Sequence, residues 1–287
     1  MSSHVTGHTG LLCLLGSPVS HSISPEMHNE ACRILDLDYT YLAFDVGTET
    51  LETAVAGLKA MGVRGFNLTM PDKNKMAELC DELSPAAKIG GAVNTVVNDN
   101  GKLTGHTTDG VGYMMAAKDA GVELAGKKMV QLGAGGAGTA ILVQAAMDGL
   151  ASIDVFNAKD AFWPRVEKIV EQLNEQTSCK VALYEIKDLD ELKNCLADAD
   201  LLLNTTPVGM KRIPGCLIPD VSYFHEGLTV SDVIYEPKET ELLKMAREAG
   251  LKTFNGMYML LYQGAASFKL WTGKDMPAEE IKAKYFS

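Results

Sequence analysis

Met129-Val-Gln-Leu-Gly-Ala-Gly-Gly-Ala-Gly138 is the stretch from which the fold of this 287-residue chain can be read. Its first four residues suit a buried β-strand. Directly after them Gly133, Gly135 and Gly138 take the three fixed positions of a G-x-G-x-x-G turn, with Ala134, Gly136 and Ala137 among them. Residues 138–147 suit a helix and residues 153–156 a second strand. A glycine-rich turn between strand and helix lets backbone approach a pyrophosphate, while the helix N-terminus offers N–H donors and a positive dipole end. Strand, turn, helix and strand in this order read as a dinucleotide-binding unit. Cofactor choice is written where the second strand ends, at Phe156-Asn-Ala-Lys-Asp160. Asp160 can accept from a ribose hydroxyl, and Lys159 can neutralise the 2′-phosphate of NADP. With no Arg in this loop and Asp160 placed to repel a 2′-phosphate, the reading leans to NAD.

Outward from this unit, short apolar runs alternate with amphipathic stretches. Strands are expected at residues 11–15, 39–44, 65–68, 92–97, 181–184, 201–203 and 229–233, and helices at 25–35, 49–61, 162–174 and 239–249. That alternation predicts an α/β protein with mostly parallel sheets. A helical stretch at 111–120 and a polar turn at 125–128 precede the glycine-rich unit, so the chain reads as two domains. The tail from Gly256 is helical in pattern.

Composition sets bounds. Apolar residues make up 46% and charged residues 22%, as in an ordinary globular protein. With 26 basic against 37 acidic residues the net charge is −11, which argues against nucleic acid as a partner. No apolar run approaches the roughly 20 residues of a membrane span, and the polar N-terminus does not read as a secretory signal. The six cysteines (Cys13, Cys32, Cys80, Cys179, Cys195, Cys216) are scattered, without C-x-x-C or a His cluster. They read as reduced, mostly buried thiols of a cytoplasmic protein, with no metal site.

Four further motifs carry candidate chemistry. In Ser20-His-Ser-Ile-Ser-Pro-Glu-Met-His28, Ser24 reads as a helix N-cap with Pro25 at the first helical position. Ser22 adds a second hydroxyl beside the same helix end, so the pair could hold a carboxylate; His21 and His28 are read as packing or solvent-facing. Asn67-Leu-Thr-Met-Pro-Asp-Lys73 ends a strand and opens a helix, where open α/β sheets place ligand contacts. A lysine near the first turn of a helix runs against the macrodipole, which asks for a reason beyond solvation. Gly90-Gly-Ala-Val-Asn-Thr95 and Thr107-Thr-Asp-Gly110 place Asn94 and Asp109 at strand or loop ends, where either could equally serve a turn or cap the next helix.

Taken in order with the glycine-rich turn and Met259-Leu-Leu-Tyr-Gln-Gly264, these motifs resemble the shikimate dehydrogenase family over nearly the whole chain from Leu11. The Asn157 to Asp160 loop and the ending Leu270-Trp-Thr-Gly-Lys-Asp275 look most like its quinate/shikimate dehydrogenase branch. The resemblance implies an N-terminal substrate domain, 1–109, completed by C-terminal helices 257–287, a Rossmann-type domain, 110–256, and a cleft between them. It implies Lys73 and Asp109 as the catalytic pair and Ser22 and Ser24 on the substrate carboxylate. Asn67, Thr69, Asn94 and Gln263 would bind ring hydroxyls, with Tyr41 and Tyr235 near the same pocket. On the cofactor side it implies Gly133 and the backbone of Ala134, Gly135, Gly136 and Ala137, then Asn157 and Asp160, with Val233, Ile234, Glu236 and Gly256 further on. Many NADP-selective members carry Arg where this chain has Ala158, and in the family an uncharged or basic side chain is common where this chain has Asp72.

The expected reaction is reversible NAD(P)-dependent oxidation of shikimate, of quinate, or of both to the 3-dehydro acids. Lys73 would be the base in oxidation and the acid in reduction, held by Asp109. The expected partners are these small molecules and, as an assembly, a homodimer. The alternatives are a strictly NADP-dependent biosynthetic shikimate dehydrogenase, a dehydrogenase for a different carboxylated ring, and a non-catalytic ligand sensor of the same fold.

Overall fold

The protein is described here from a computed structural model covering residues 5–286. The chain divides into two compact units. One runs through Thr108 and resumes at Leu261; the other spans Asp109–Leu260.

In the first unit β1 (Gly10–Gly16), α1 (Ser24–Ile34), β2 (Tyr39–Asp45), α2 (Leu51–Ala60), β3 (Gly65–Leu68), α3 (Lys73–Leu79), β4 (Glu82–Leu83), α4 (Pro85–Gly90), β5 (Thr95–Asp99) and β6 (Lys102–His106) follow one another. The strands form one sheet in the order β2-β1-β3-β5-β6-β4. Its centre, β1, reads Leu-Leu-Cys-Leu-Leu because both faces are covered. Cys13 and Leu15 pack with Leu51, Val55 and Leu58 of α2, while Leu12 and Leu14 pack with Tyr41 and Trp271.

The second unit holds α5 (Asp109–Asp119), β7 (Lys128–Leu132), α6 (Gly136–Met147), β8 (Ser152–Asn157), α7 (Trp163–Gln176), β9 (Lys180–Glu185), α8 (Leu189–Leu196), β10 (Leu201–Asn204), β11 (Thr229–Asp232), α9 (Glu241–Glu248) and β12 (Lys252–Asn255). Its sheet, β12-β11-β10-β7-β8-β9, is parallel throughout. The order reverses between β7 and β10, and in such sheets ligands lie beyond the carboxyl ends of those two strands. After β12 come α10 (Met257–Thr272) and α11 (Ala278–Tyr285). Trp271 of α10 donates its indole N–H to Val96 O at 2.9 Å, and Arg64 donates to Trp271 O at 2.8 Å, tying the returning helix to β3 and β5.

The expectation of mostly parallel sheets holds, with one antiparallel stretch. In the first unit β5 runs antiparallel to β3 and to β6. The cause is local: Asn100 and Gly101 both take positive φ, 55° and 90°, the backbone of a tight two-residue hairpin. The expected strand at 92–97 begins at Thr95 instead, because the Asn94 side chain takes the Thr108 N–H at 2.8 Å. Of the six cysteines, all free, Cys13, Cys32 and Cys179 are buried and the other three half-buried, fewer than expected.

Candidate active site

In the first unit the ligand-facing chemistry sits where β3 ends, before β5 begins and on α10. Asn67 on β3 is buried, and its Nδ2 lies within hydrogen-bond reach of Asn94 O (3.0 Å), Thr95 Oγ1 (3.0 Å) and Ser267 Oγ (3.1 Å). A carbonyl can only accept, so Asn94 O fixes which end of the Asn67 amide is nitrogen. Oδ1 therefore faces the Tyr41 hydroxyl, which donates to it at 2.8 Å. With its nitrogen committed inward, Asn67 turns Oδ1 toward the Tyr41 hydroxyl.

Asn94 is oriented by the same logic. Its Oδ1 accepts the Thr108 backbone N–H at 2.8 Å, so Nδ2 turns toward Thr108 Oγ1 (3.0 Å) and Gln263 Oε1 (3.4 Å). Thr95, Thr108 and Ser267 form a triangle of hydroxyls with sides of 2.7 to 3.1 Å, and Ser267 also donates to Gln263 O at 3.0 Å. Three elements and the loop at Thr107 and Thr108 are thus locked by one buried polar network. Thr95, Thr108 and Ser267 belong to it although sequence reading passed them over; Thr95 beside Asn94 and Thr108 beside Asp109 carried a signal, and Ser267 carried none.

At the start of α1 the expected cap is not formed. Ser24 is already the first helical residue, and Ile23, without a capping side chain, precedes it. Instead the Ser22 hydroxyl accepts the Ser24 N–H at 3.2 Å. Ser24 is buried, and the nearby Tyr41 hydroxyl gives its proton to Asn67 Oδ1. Tyr41 has no exposed surface, and burial holds its phenol well above the ordinary value. His28 is also fully buried: its ring stacks on Tyr41 with centroids 4.4 Å apart, and neither nitrogen has a partner. Desolvation pulls its pKa down to about 3, so the ring is neutral.

Lys73 is the first residue of α3 and half-buried, and Thr69 just before it packs its methyl group against Gly16. Asp72 is fully buried, with Oδ1 accepting from the Thr48 hydroxyl at 2.7 Å. Asp109, buried, is the first residue of α5 and belongs to the second unit.

In the second unit the glycine-rich turn links β7 to α6. Gly133 has φ +90°, and a Cβ there would press on Thr205 and Thr206 at the end of β10. Around Gly135 and Gly136 the space is open: a Cβ at either would meet nothing within 4 Å. No side chain caps α6, whose N-cap is Gly135. An uncapped helix end beneath an open glycine backbone fits the pyrophosphate of a dinucleotide. Asn157 at the end of β8 accepts the Ala134 N–H at 3.0 Å. Asp160 accepts the Phe162 N–H at 2.8 Å and so shapes the turn into α7, while exposed Lys159 lies over the Trp163 ring, 5.6 Å from its centroid. Val233 and Gly256 are brought together, since a Cβ on Gly256 would overlap Val233 O. Ile234 accepts from Gly256 N at 3.4 Å, Tyr235 is 46% exposed, and Glu236 pairs with Lys211 at 2.9 Å.

Comparison with known proteins bears on what these two parts do. Residues 14–96 match the shikimate dehydrogenase substrate binding domain, and residues 256–284 match the shikimate 5'-dehydrogenase C-terminal domain. Shikimate dehydrogenase (NADP(+)) of Listeria monocytogenes serotype 4b (strain F2365) is 50% identical over 287 residues, covering 100% of this chain and 99% of its own. The chain belongs to the shikimate dehydrogenase family. A quinate/shikimate dehydrogenase of Escherichia coli (strain SMS-3-5 / SECEC) is 45% identical over 280 residues, 97% of each chain. A crystal structure of shikimate 5-dehydrogenase from Listeria monocytogenes, in complex with shikimate and NAD, matches with a TM-score of 0.95 at 49% identity, covering 99% of this chain and 98% of that one. Shikimate dehydrogenases are oxidoreductases, and their fold, an α/β substrate domain with a Rossmann-type domain, is the one seen here. The lean to NAD finds no support in these relatives, since the Listeria enzyme is named for NADP(+). Physically, the Asp160 carboxylate invoked for it is turned to the start of α7.

Proposed function

We propose that the protein catalyses reversible oxidation of shikimate to 3-dehydroshikimate, with quinate as a second acid, using NADP or NAD. The observation that carries the reading is the polar network of buried Asn67, Asn94 and Thr108 with half-buried Gln263, in which backbone groups fix the Asn67 and Asn94 amides and Asn94 Nδ2 faces Gln263 Oε1. Such pre-set acceptors and donors suit a small ring with several hydroxyls. A bound nicotinamide would supply the acceptor for the hydride of the carbinol carbon.

The chain's own residues bind the acid and move the proton. Ser22, with Ser24 behind it, holds the carboxylate at the start of α1. Asn67 accepts from one ring hydroxyl, and Asn94, Thr69 and Gln263 engage its neighbours. Lys73 takes the hydroxyl proton in oxidation and returns it in reduction, and Asp109 orients the amine. Gly133 to Ala137 receive the pyrophosphate, Asn157 fixes the turn beside it, and Lys159 meets the 2′-phosphate when NADP is the cofactor. Because Ala158 supplies no guanidinium, NAD is accepted as well. Six free thiols support a reducing, cytoplasmic setting.

Initial rates at the reduced-nicotinamide absorbance band, for shikimate or quinate with NADP or NAD, test this directly. Turnover of shikimate with NADP is expected, with slower turnover using NAD. Silence in all four mixtures rejects the assignment.

A further inference from the structure

We propose that Gln131 is a positioning residue that fixes the shape of the glycine-rich turn and thereby the affinity for the dinucleotide; the inference rests on the dinucleotide reading above. Gln131 lies in the middle of the apolar strand β7 and has no exposed surface. Its Nε2 donates to Gly133 O at 2.8 Å and to Gly138 O at 2.9 Å. Both partners are carbonyls and can only accept, so the amide has one orientation: nitrogen toward the turn, oxygen away. The Oε1 atom pointing away is buried with no hydrogen-bond partner. A buried acceptor left unmade is destabilising, and β7 is otherwise filled at this level by Val130 and Leu132, which carry no such penalty. The polar residue is explained by what its nitrogen does.

What it does is join the two ends of the turn. Gly133 opens the turn and Gly138 lies in the first helical turn of α6, so one amide bridging their carbonyls sets the width of the loop between them. Neighbouring side chains act in the same sense. Thr205, at the end of β10, donates to Leu132 O at 2.9 Å and Gly133 O at 2.8 Å, and Thr139 donates to Ala134 O at 2.9 Å. Within one peptide unit the C=O and the following N–H point in opposite directions. Drawing the carbonyls of Gly133 and Ala134 toward the protein turns the amides of Ala134 and Gly135 outward, the side from which a phosphate would approach. The Ala134 amide is bonded to Asn157 Oδ1 at 3.0 Å.

The test is direct binding, by fluorescence titration with NADPH and calorimetry with NADP, of the full-length protein and its Gln131→Leu, Thr205→Val and double variants. Each single change is expected to weaken dinucleotide binding by about 3- to 30-fold, the range of one hydrogen bond, while the shikimate Kd moves less than about twofold. Gly133 O keeps one donor in each single variant and none in the double, so the double loss is expected to exceed the product of the single losses. Unchanged dinucleotide Kd in folded variants overturns the proposal, and so does equal weakening of both ligands, the mark of a merely structural role. Should Gln131→Leu fail to fold, Thr205→Val, nearly isosteric, decides by the same two outcomes. If the unaltered protein binds neither NADPH nor NAD, the functional reading falls first and the brace with it.

Discussion

Acidification should expose the cost of burying His28. The ring titrates at 6.5 when the chain is unfolded and is pulled down to about 3 in the folded protein. Between these values the unfolded chain binds a proton that the folded protein does not, so stability falls as pH falls through this window and is undiminished above it. One pKa unit corresponds to about 1.4 kcal/mol, which makes the loss from this residue about 2 kcal/mol at pH 5 and about 3 kcal/mol at pH 4. That is a sizeable share of a typical domain stability of roughly 5–15 kcal/mol. The assay is urea unfolding from pH 7 to pH 4 for the native protein and for His28→Leu, a non-titrating residue of similar volume. The variant should start less stable, because stacking on Tyr41 is lost, and then lose about 2 kcal/mol less than the native protein between pH 7 and pH 5. Parallel curves, agreeing within about 0.5 kcal/mol over that span, would refute the assignment of this proton uptake to His28. Activity should not follow the same curve. At pH 5 about 1% of folded molecules would carry a protonated His28, so any acid limb in turnover at that pH belongs to other groups.

Lys73→Ala should lower kcat by about 100-fold or more with a small change in the shikimate KM, and Ser22→Ala should do the reverse, raising KM by roughly 3- to 30-fold; steady-state kinetics on both variants separates the roles. Gly135→Ala is a cleaner probe of the dinucleotide site. Its φ of −71° accepts alanine and its Cβ would meet nothing within 4 Å, so the melting temperature should hold while the NADP Kd rises at least about tenfold. Gly110→Ala makes the opposite case: its Cβ would overlap Ala140 O and come within 2.5 Å of Gln144 Cβ, forcing α5 off α6. A loss of about 1–3 kcal/mol in chemical denaturation is expected, without a selective change in either ligand's affinity.

Much of the fold was legible because its signals are local. The β7-turn-α6 unit was readable from glycine spacing alone, and apolar runs such as Leu201 to Leu203 marked strands buried on both faces. What escaped was short and polar. β6 reads Lys-Leu-Thr-Gly-His and β12 reads Lys-Thr-Phe-Asn, so each offers one large apolar side chain, Leu103 or Phe254, too little to mark a strand by pattern, and backbone pairing toward one flank of a sheet completes it. The antiparallel β5–β6 pair did carry a signal, Asn100-Gly101, whose positive φ values close the hairpin. It was masked by the alternation of strands and helices around it.

The site was legible as a list of residues but not as an arrangement, and the reason is that hydrogen-bond polarity is decided by tertiary partners. Nothing in Asn67-Leu-Thr-Met-Pro-Asp-Lys73 says which end of the Asn67 amide faces a ligand. That is settled by Asn94 O, 27 residues on, and by Tyr41, 26 residues back. Ser24 illustrates the same limit: its sequence context is that of a cap, yet it is already the first residue of α1, and its backbone N–H goes to the Ser22 hydroxyl. Ser267 has no motif at all and still contacts Asn67, Thr95 and Thr108, because α10 returns to the first unit after the second has been completed. A substrate with several hydroxyls is discriminated by the direction of each donor and acceptor. The residues that set those directions, Tyr41, Thr95, Thr108 and Ser267, are therefore where changes in acid preference are to be sought, more than among the residues that touch the ring.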